Sequence, residues 1–511
     1  MKYFLFFFLS LYLYSTPFKV ATYNVENLFD AKYQGSEYKE YIPGKHNWNQ
    51  RMVEIKLNHI AEVICDINAD ILGLQEIENK IIFKQLISRL NQVGCAYKYS
   101  AITDKKNAPI QVALLSRYAI IKQTELQVSY SPRVRNILEV VLKIEDKPLT
   151  LFVNHWKSKS YKGYESKRIK YAKVLQKRIE SLAASKEYII LGDLNSDYDV
   201  SLTLPKNLND SHGDTAFNDI LNTKTDEKNI QKAKKGVHYS LWYELPIENR
   251  WSHKYYGKKS TLDHIVLPQS MFDAKGIDYV DNSFNVFRAK YLFTKRGYIN
   301  AWRYKNGKHR AKGYSDHLPI YAYFDLKPYI SQKKHKVRKI KNKSIDYLYS
   351  IEKLIYDIKL DDCVVVFKRG SNAVIKQDIS GRGIYLYGCA RRLKEGYKYD
   401  LLVKRIKSYK GLKEITHMYS LKDKGSVKYQ KYYKNLLDTK SRVQNEVIRD
   451  ITGIYKNHLL YIKGQKIPIY FKKRKSTLKD GIKIKIDYAH IGYYNRLQLV
   501  VHNPKDFTIL E

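Results

Sequence analysis

The chain has 511 residues, too many for one ordinary domain and enough to bury a sizeable core, so two or three domains are expected. Lys and Arg number 92 against 51 Asp and Glu, a formal net charge of +41. Such a surplus points to a polyanionic partner, nucleic acid or less often an acidic membrane surface, with a solubility or composition bias as the bland alternative.

The first element is an apolar run. Lys2 precedes residues 3–14, which only Ser10 interrupts, and Ser15-Thr16-Pro17 ends it. A positive start, a short apolar core and a small-residue exit read as a signal peptide over 1–17, too short for an ordinary spanning helix. Export to the periplasm or the cell exterior is therefore expected. No later segment is long and apolar enough to span a membrane. Cys65, Cys95, Cys363 and Cys389 show no zinc spacing. Export would permit Cys65 to pair with Cys95, or Cys363 with Cys389, and reduced core cysteines fit the sequence equally well.

Strands are predicted at 19–23, 71–74, 112–116, 137–144, 150–154, 188–191, 261–267 and 318–324. Helices are predicted at 50–67, 80–93 and 166–184. Many strands with helices between them suggest a layered α/β sandwich. The rhythm breaks at a basic linker, 329–345, where residues 331–344 hold seven Lys or Arg and no acid. Beyond it lies an internal repeat. Leu393-Lys394-Glu395-Gly396-Tyr397-Lys398 recurs as Leu478-Lys479-Asp480-Gly481-Ile482-Lys483. Ile384-Tyr385 recurs as Ile469-Tyr470, and Ile406, Tyr409 and Leu412 recur as Ile491, Tyr494 and Leu497. Short strands around a Gly turn, used twice, predict two small OB-like barrels at 346–420 and 446–511. The Lys- and Tyr-rich stretch between them, 421–445, is expected to be a helical connector.

Six polar clusters sit at predicted strand ends. Asn24, in Tyr23-Asn24-Val25-Glu26, could ligate a metal or bind a phosphate, although a turn-capping Asn explains it in isolation. Glu76 closes Ile71-Leu72-Gly73-Leu74-Gln75-Glu76, and a carboxylate there suits Mg²⁺. Asn154-His155-Trp156-Lys157 offers an imidazole and a lysine that is either a phosphate contact or surface charge. Gly192-Asp193-Leu194-Asn195 places two polar side chains on one face of an extended chain, where an Asx-turn is the bland alternative. Leu262-Asp263-His264 and Ser315-Asp316-His317 each set an acid beside an imidazole.

Taken together and in this order, these clusters resemble the endonuclease/exonuclease/phosphatase superfamily, the fold of the pancreatic-type deoxyribonucleases. The resemblance covers about residues 18–328. It implies a four-layered α/β (α+β) sandwich, two packed sheets flanked by helices, with the site at one edge. It implies Glu76 as principal metal ligand, aided by Asn24 and Asp316, and Mg²⁺ as the ion, with Mn²⁺ or Ca²⁺ as alternatives. His155 and His317 would flank the phosphate, Asp263 would orient His317, and Asp193 and Asn195 would handle the attacking water and the phosphate. Either His317 or Asp193 could be the general base. Arg133 or Arg135 matches a phosphate-binding arginine, Arg135 the better placed because a strand follows it directly. Several activities share such a site. The charge, the linker and the barrels favour DNA, with RNA left open, over a phospholipid or sphingomyelin substrate. An inactive hydrolase domain on a secreted nucleic-acid-binding protein is the non-enzymatic alternative. Tyr385, Tyr409, Tyr470 and Tyr494 are the candidates for stacking bases on the barrels; half-buried strand tyrosines would look the same. No obligate protein partner is evident.

Overall fold

The computed structural model describes residues 16–510 apart from 132, 160–162, 256–257, 332–339, 435–442 and 473–477. The expected signal peptide lies almost wholly outside the described residues. Two compact units divide the chain near residue 334, with 202–206 grouped with the second.

The first unit is built on two sheets. Its strands are β1 (Phe18–Leu28), β2 (Ile71–Ile77), β3 (Tyr99–Ile102), β4 (Gln111–Ser116), β5 (Ala119–Leu126), β6 (Ile137–Ile144), β7 (Lys147–His155), β8 (Tyr188–Asp193) and β9 (His238–Ser240). They continue with β10 (His253–Tyr255), β11 (Lys258–Ser260), β12 (Asp263–Pro268), β13 (Asp278–Tyr279), β14 (Asn285–Val286), β15 (Tyr304–Lys305), β16 (Lys308–His309) and β17 (Ile320–Asp325). One sheet runs β13-β17-β1-β2-β4-β3, with β14 also on β17, and the other β5-β6-β7-β8-β12-β9. Each sheet holds a single parallel pair at its centre, β1 with β2 and β7 with β8. These strands are buried on both faces, so β2 and β8 read as continuous apolar runs rather than alternating ones. At Gly73 of β2 a Cβ would fall 2.2 Å from the Leu191 Cδ1 of β8, so the glycine seats one sheet against the other.

The helices α1 (Gln50–Ile67) and α2 (Lys80–Gln92) begin where Asn49 and Asn79 accept backbone N–H groups of the first turn. A third, α3 (Glu165–Glu180), ends four residues earlier than expected. Among the described residues no helix is long and apolar enough to cross a membrane. Cys65 and Cys95 form a disulfide, whereas Cys363 and Cys389 are both free, which removes the second expected pair.

The second unit contains β18 (Ile340–Asn342), β19 (Asp357–Arg369), β20 (Asn372–Lys376), β21 (Ile384–Leu386), β22 (Tyr397–Tyr409) and β23 (Leu412–Ser426). It continues with β24 (Val447–Lys456), β25 (Leu459–Ile462), β26 (Gln465–Phe471), β27 (Ile482–Tyr493), β28 (Leu497–Val501) and β29 (Phe507–Leu510). The order β19-β20-β21-β23-β22 closes through β19–β22, and β24-β25-β26-β28-β27 closes through β24–β27. In both, the third and fifth strands pair in parallel. That is the five-stranded OB arrangement, twice.

Two expectations are corrected here. Among the described residues of 421–445, the expected helical connector contains no α-helix. Its first residues extend β23 as far as Ser426 against β22, and a single 3-10 turn, Gln430–Tyr432, follows; 435–442 lie outside the described residues. The long hairpin satisfies these backbone groups in a ladder, and the Lys/Tyr run lacks the apolar spacing a helix would bury. Nor is 329–345 linker throughout: Ile340–Asn342 pairs in parallel with β19, and the helix Ile345–Tyr349 begins at the capping Ser344.

Candidate active site

The carboxyl ends of the two parallel pairs deliver the polar clusters to one place. Asn24 lies on β1 and Glu76 on β2; His155 ends β7 and Asp193 ends β8. In register Asp193 faces His155 on one side and Asp263 on the other, so three neighbouring strands present three functional groups at one level. Gly192 makes this level reachable. Its φ is +127° and a Cβ would fall 2.1 Å from the Asn154 carbonyl oxygen. The β1–β2 register shifts between Asn24 and Leu28, where Glu26, Asn27 and Glu76 all adopt positive φ. Such irregularities re-aim side chains at strand ends.

Asn24 Nδ2 donates to Glu76 Oε1 (3.0 Å) and Asp193 Oδ2 (3.1 Å). Its Oδ1 accepts from the Glu26 N–H (3.0 Å), which fixes the amide orientation. In this arrangement the Asn24 amide nitrogen is a donor to both carboxylates. Glu76 Oε2 is held by the Asn27 N–H (2.8 Å). His155 Nε2 lies 3.7 Å from Glu76 Oε1 and 3.6 Å from Asp193 Oδ2. His317 Nδ1 donates to Asp263 Oδ2 (2.8 Å), which also accepts from the Ser252 hydroxyl (2.5 Å). The other ring nitrogen, Nε2, faces Asp193 Oδ2 at 3.9 Å. Ser315 anchors the segment through the Asn24 carbonyl (2.7 Å) and accepts the His317 N–H (3.1 Å). Asn195 gives its N–H to Asp193 Oδ1 and its amide to the Trp156 carbonyl.

The remaining residues divide. Arg135 is buried behind His155, its guanidinium on the carbonyls of His155 (3.0 Å) and Trp156 (2.7 Å). Lys157 is half-buried, and Arg133 is exposed on the preceding turn. Asp316 sits at the rim with its side chain 43% exposed. The tyrosines belong to the second unit. There Tyr409, Tyr470 and Tyr494 are exposed, but Tyr385 is buried with its ring stacked on His490, so it offers no face to a base.

Three participants escaped the sequence reading. Glu26 accepts from the Trp302 N–H (2.9 Å), and its spacing of two residues from Asn24 was the available signal. Lys56 of α1 is fully buried over the Trp302 ring (4.7 Å). His253 places Nε2 3.6 Å from Asp316 Oδ2, and nothing in its local sequence marks it.

The electrostatics are those of crowded acids. Burial, then Asp316, raises the Glu76 carboxyl above its ordinary range. Burial pushes Asp193 up to about 7, with Asp263 and Glu76 adding to it and His317 opposing. His155 is held neutral by burial and the nearby Arg135. Burial works against a charged His317, yet Asp263 and Asp316 hold it as an imidazolium. Burial lowers Lys56 to about 8, against the pull of Glu26, Glu76 and Asp316.

These groups fit a divalent cation. Glu76, His155 and Asp193 offer ligand atoms within 4.8 Å of one another. Two of the three are carboxylates, as a hard ion requires, and both are raised by burial and by neighbouring acids, Asp316 for Glu76 and Asp263 and Glu76 for Asp193. A cation would relieve that repulsion.

A family model described as "Endonuclease/Exonuclease/phosphatase family" matches residues 19–326. No curated protein matches the chain. Among solved structures, a humanized D. rerio TDP2 shares 14% identity at a TM-score of 0.37, covering 60% of this chain and 98% of its own. An endonuclease/exonuclease/phosphatase family protein from Leptotrichia buccalis shares 16% at 0.37, covering 60% and 98%. SmcL shares 17% at 0.35, also covering 60% and 98%. With the family model spanning the whole of the two-sheet unit, the chain belongs to the endonuclease/exonuclease/phosphatase family.

Proposed function

We propose that the protein is an exported, metal-dependent phosphodiesterase that cleaves DNA as a largely sequence-non-specific endonuclease, with the C-terminal barrels holding nucleic acid. The observation that carries the reading is the convergence of Glu76, His155, Asp193 and the Asp263–His317 pair at one end of the packed sheets. The net charge of +41 and the paired OB barrels support a nucleic-acid substrate. The apolar N-terminal run and the Cys65–Cys95 disulfide support export.

Glu76 would hold the divalent ion, Mg²⁺ by its oxygen donors, with Asp316 contributing from the rim. When bound, the ion supplies positive charge against the phosphoryl oxygens. The chain's own groups do the rest. Asn24 spans the Glu76 and Asp193 carboxylates and fixes their separation. Asp193, with its carboxyl near 7, takes the proton of the attacking water at neutral pH. His317, kept charged by Asp263, donates from Nε2 to a phosphate oxygen or the leaving oxygen. Neutral His155 donates from Nε2 on the opposite side, and Arg135 locks the His155 backbone in place.

The experiment is direct. Purified full-length protein with supercoiled plasmid and Mg²⁺ should give nicked, then linear DNA, and a chelator should stop it. Intact plasmid under Mg²⁺, Mn²⁺ and Ca²⁺ alike would sink the proposal. E76Q should abolish cleavage while leaving DNA binding in place.

A further inference from the structure

We propose that His253, Asp316 and His317 form a second metal site, selective for a borderline transition ion such as Zn²⁺, and that filling it withdraws His317 from hydrolysis. The second half rests on the phosphodiesterase reading; the first does not.

The three residues are brought together by backbone, not by chance side-chain reach. His253 and His317 are paired across an antiparallel bridge, and the Leu318 N–H donates to the Ser252 carbonyl (2.7 Å). Their rings lie side by side, centroids 4.9 Å apart. Between them stands Asp316, with Oδ2 3.6 Å from His253 Nε2 and Oδ1 4.0 Å from His317 Nε2. All three ligand atoms fall within 4.8 Å of one another. Tetrahedral zinc, with metal–nitrogen distances near 2.0–2.1 Å, sets its ligand atoms roughly 3.4 Å apart, so the side chains would draw in from separations of up to 4.8 Å.

The trio shares Asp316 with the site around Glu76 but differs from it in donor chemistry. Two imidazoles and one carboxylate suit Zn²⁺ and its neighbours; Mg²⁺ prefers an all-oxygen shell. The outer shell is built as well. Asp263 takes the Nδ1 proton of His317, and Ser252, adjacent to His253, holds Asp263. A carboxylate behind a ligating histidine fixes the tautomer and points the other nitrogen at the ion. Access is open, since the His253 and Asp316 side chains are 15% and 43% exposed. Occupancy has a definite consequence: the ion would displace the Nε2 proton of His317 to solvent, and that Nε2 is the atom His317 presents toward Asp193.

Full-length protein is titrated with Zn²⁺ by calorimetry in millimolar Mg²⁺, beside H253F and H253Q, with circular dichroism confirming that each variant folds. Wild type should bind one zinc equivalent that both variants lack or bind on the order of 100-fold more weakly, no less than the loss of an outer-shell partner costs. Co²⁺ should give visible absorption bands in wild type that both variants lose. Unchanged zinc stoichiometry and affinity in the two folded variants overturns the site. Cleavage of bis(p-nitrophenyl) phosphate then reads the consequence. Zinc should inhibit wild type at a concentration at least about tenfold below that needed for H253F, following the affinity ratio. Equal inhibition of both overturns the regulatory half. A wild type that binds zinc but cleaves nothing in Mg²⁺ leaves the site standing and sinks the phosphodiesterase reading instead.

Discussion

Asp263 accepts from His317 Nδ1, and His317 depends on it for both tautomer and charge. D263N replaces a carboxylate that accepts the Nδ1 proton with an amide that cannot hold an imidazolium. The rate should fall on the order of 10²–10⁴-fold, the range that a positioned acid or base contributes. Mg²⁺ affinity by calorimetry should stay near wild type, because Glu76 and Asp316 are untouched. A matching loss of metal binding would show instead that the whole site had collapsed. The downfield Nδ1 proton resonance of His317 should disappear, which a purely structural defect elsewhere would not cause. At this scale the sequence was most legible where a motif keeps its members adjacent, as in Gly192-Asp193-Leu194-Asn195. It was least legible where geometry decides. That the Asn24 amide donates to both carboxylates goes with its Oδ1 accepting the Glu26 N–H, in a stretch where Glu26 has positive φ. His253 lies more than sixty residues from its partner across a bridge, among polar neighbours that read as loop.

The elements themselves followed from apolar patterning. α1 has the bounds the 3.6-residue period gives, and the buried strands stand where unbroken apolar runs occur. The half-exposed β5 was missed because its polar residues dilute the alternation. The repeat was also legible: β22 and β27, then β23 and β28, begin at the same offset, Tyr397 to Ile482 and Leu412 to Leu497. What it did not show is that the barrels pack together. Val364, Val366, Phe367, Val374 and Tyr385 form a core with Val447 and Tyr488, so one outer face of the first barrel is interior. Two predictions belong to this junction. Lys376 and Glu446 form a fully buried ion pair (2.6 Å). K376M should destabilise the second unit by about 3–5 kcal/mol in urea, because Glu446 is left charged and unpaired, and K376M/E446L should recover most of it. His490 and His502 are buried and bonded to each other (2.9 Å), and burial, then Lys472, lowers His490 to about 3. The unfolded chain titrates near 6.5 and so binds the proton first. Stability is therefore fully present above about pH 6.5 and lost as pH falls toward the folded value, by up to about 1.4 kcal/mol per pH unit per histidine. Thermal melts of the second unit should fall steeply below pH 6, and H490N should flatten that slope. A melt indifferent to acid would contradict the buried, neutral pair.

Over the whole molecule the question is why a family with a self-contained catalytic fold carries a second unit at all. More than half of the net charge of +41 lies beyond residue 334, while the groups at the candidate site are mostly acidic. On the proposed function, the first unit would bind a cation and break the bond, and the second would neutralise the polyanion. Each phosphate neutralised releases a counterion, so the logarithm of affinity falls with the logarithm of salt at about 0.9 per contact on duplex DNA and about 0.7 on single strands. Removing residues 332–511 should therefore weaken DNA binding and make it less salt-dependent together, by several contacts' worth of slope in fluorescence anisotropy. Hydrolysis of bis(p-nitrophenyl) phosphate, too small to span both units, should be unaffected by the deletion. Tyr409, Tyr470 and Tyr494 separate stacking from charge: substituting them should weaken single-strand binding by about 1–3 kcal/mol per stacked base with little change in salt slope. If the truncated chain keeps full affinity and the full slope, the barrels serve a partner other than nucleic acid, and the basic charge of the catalytic unit alone must hold the substrate.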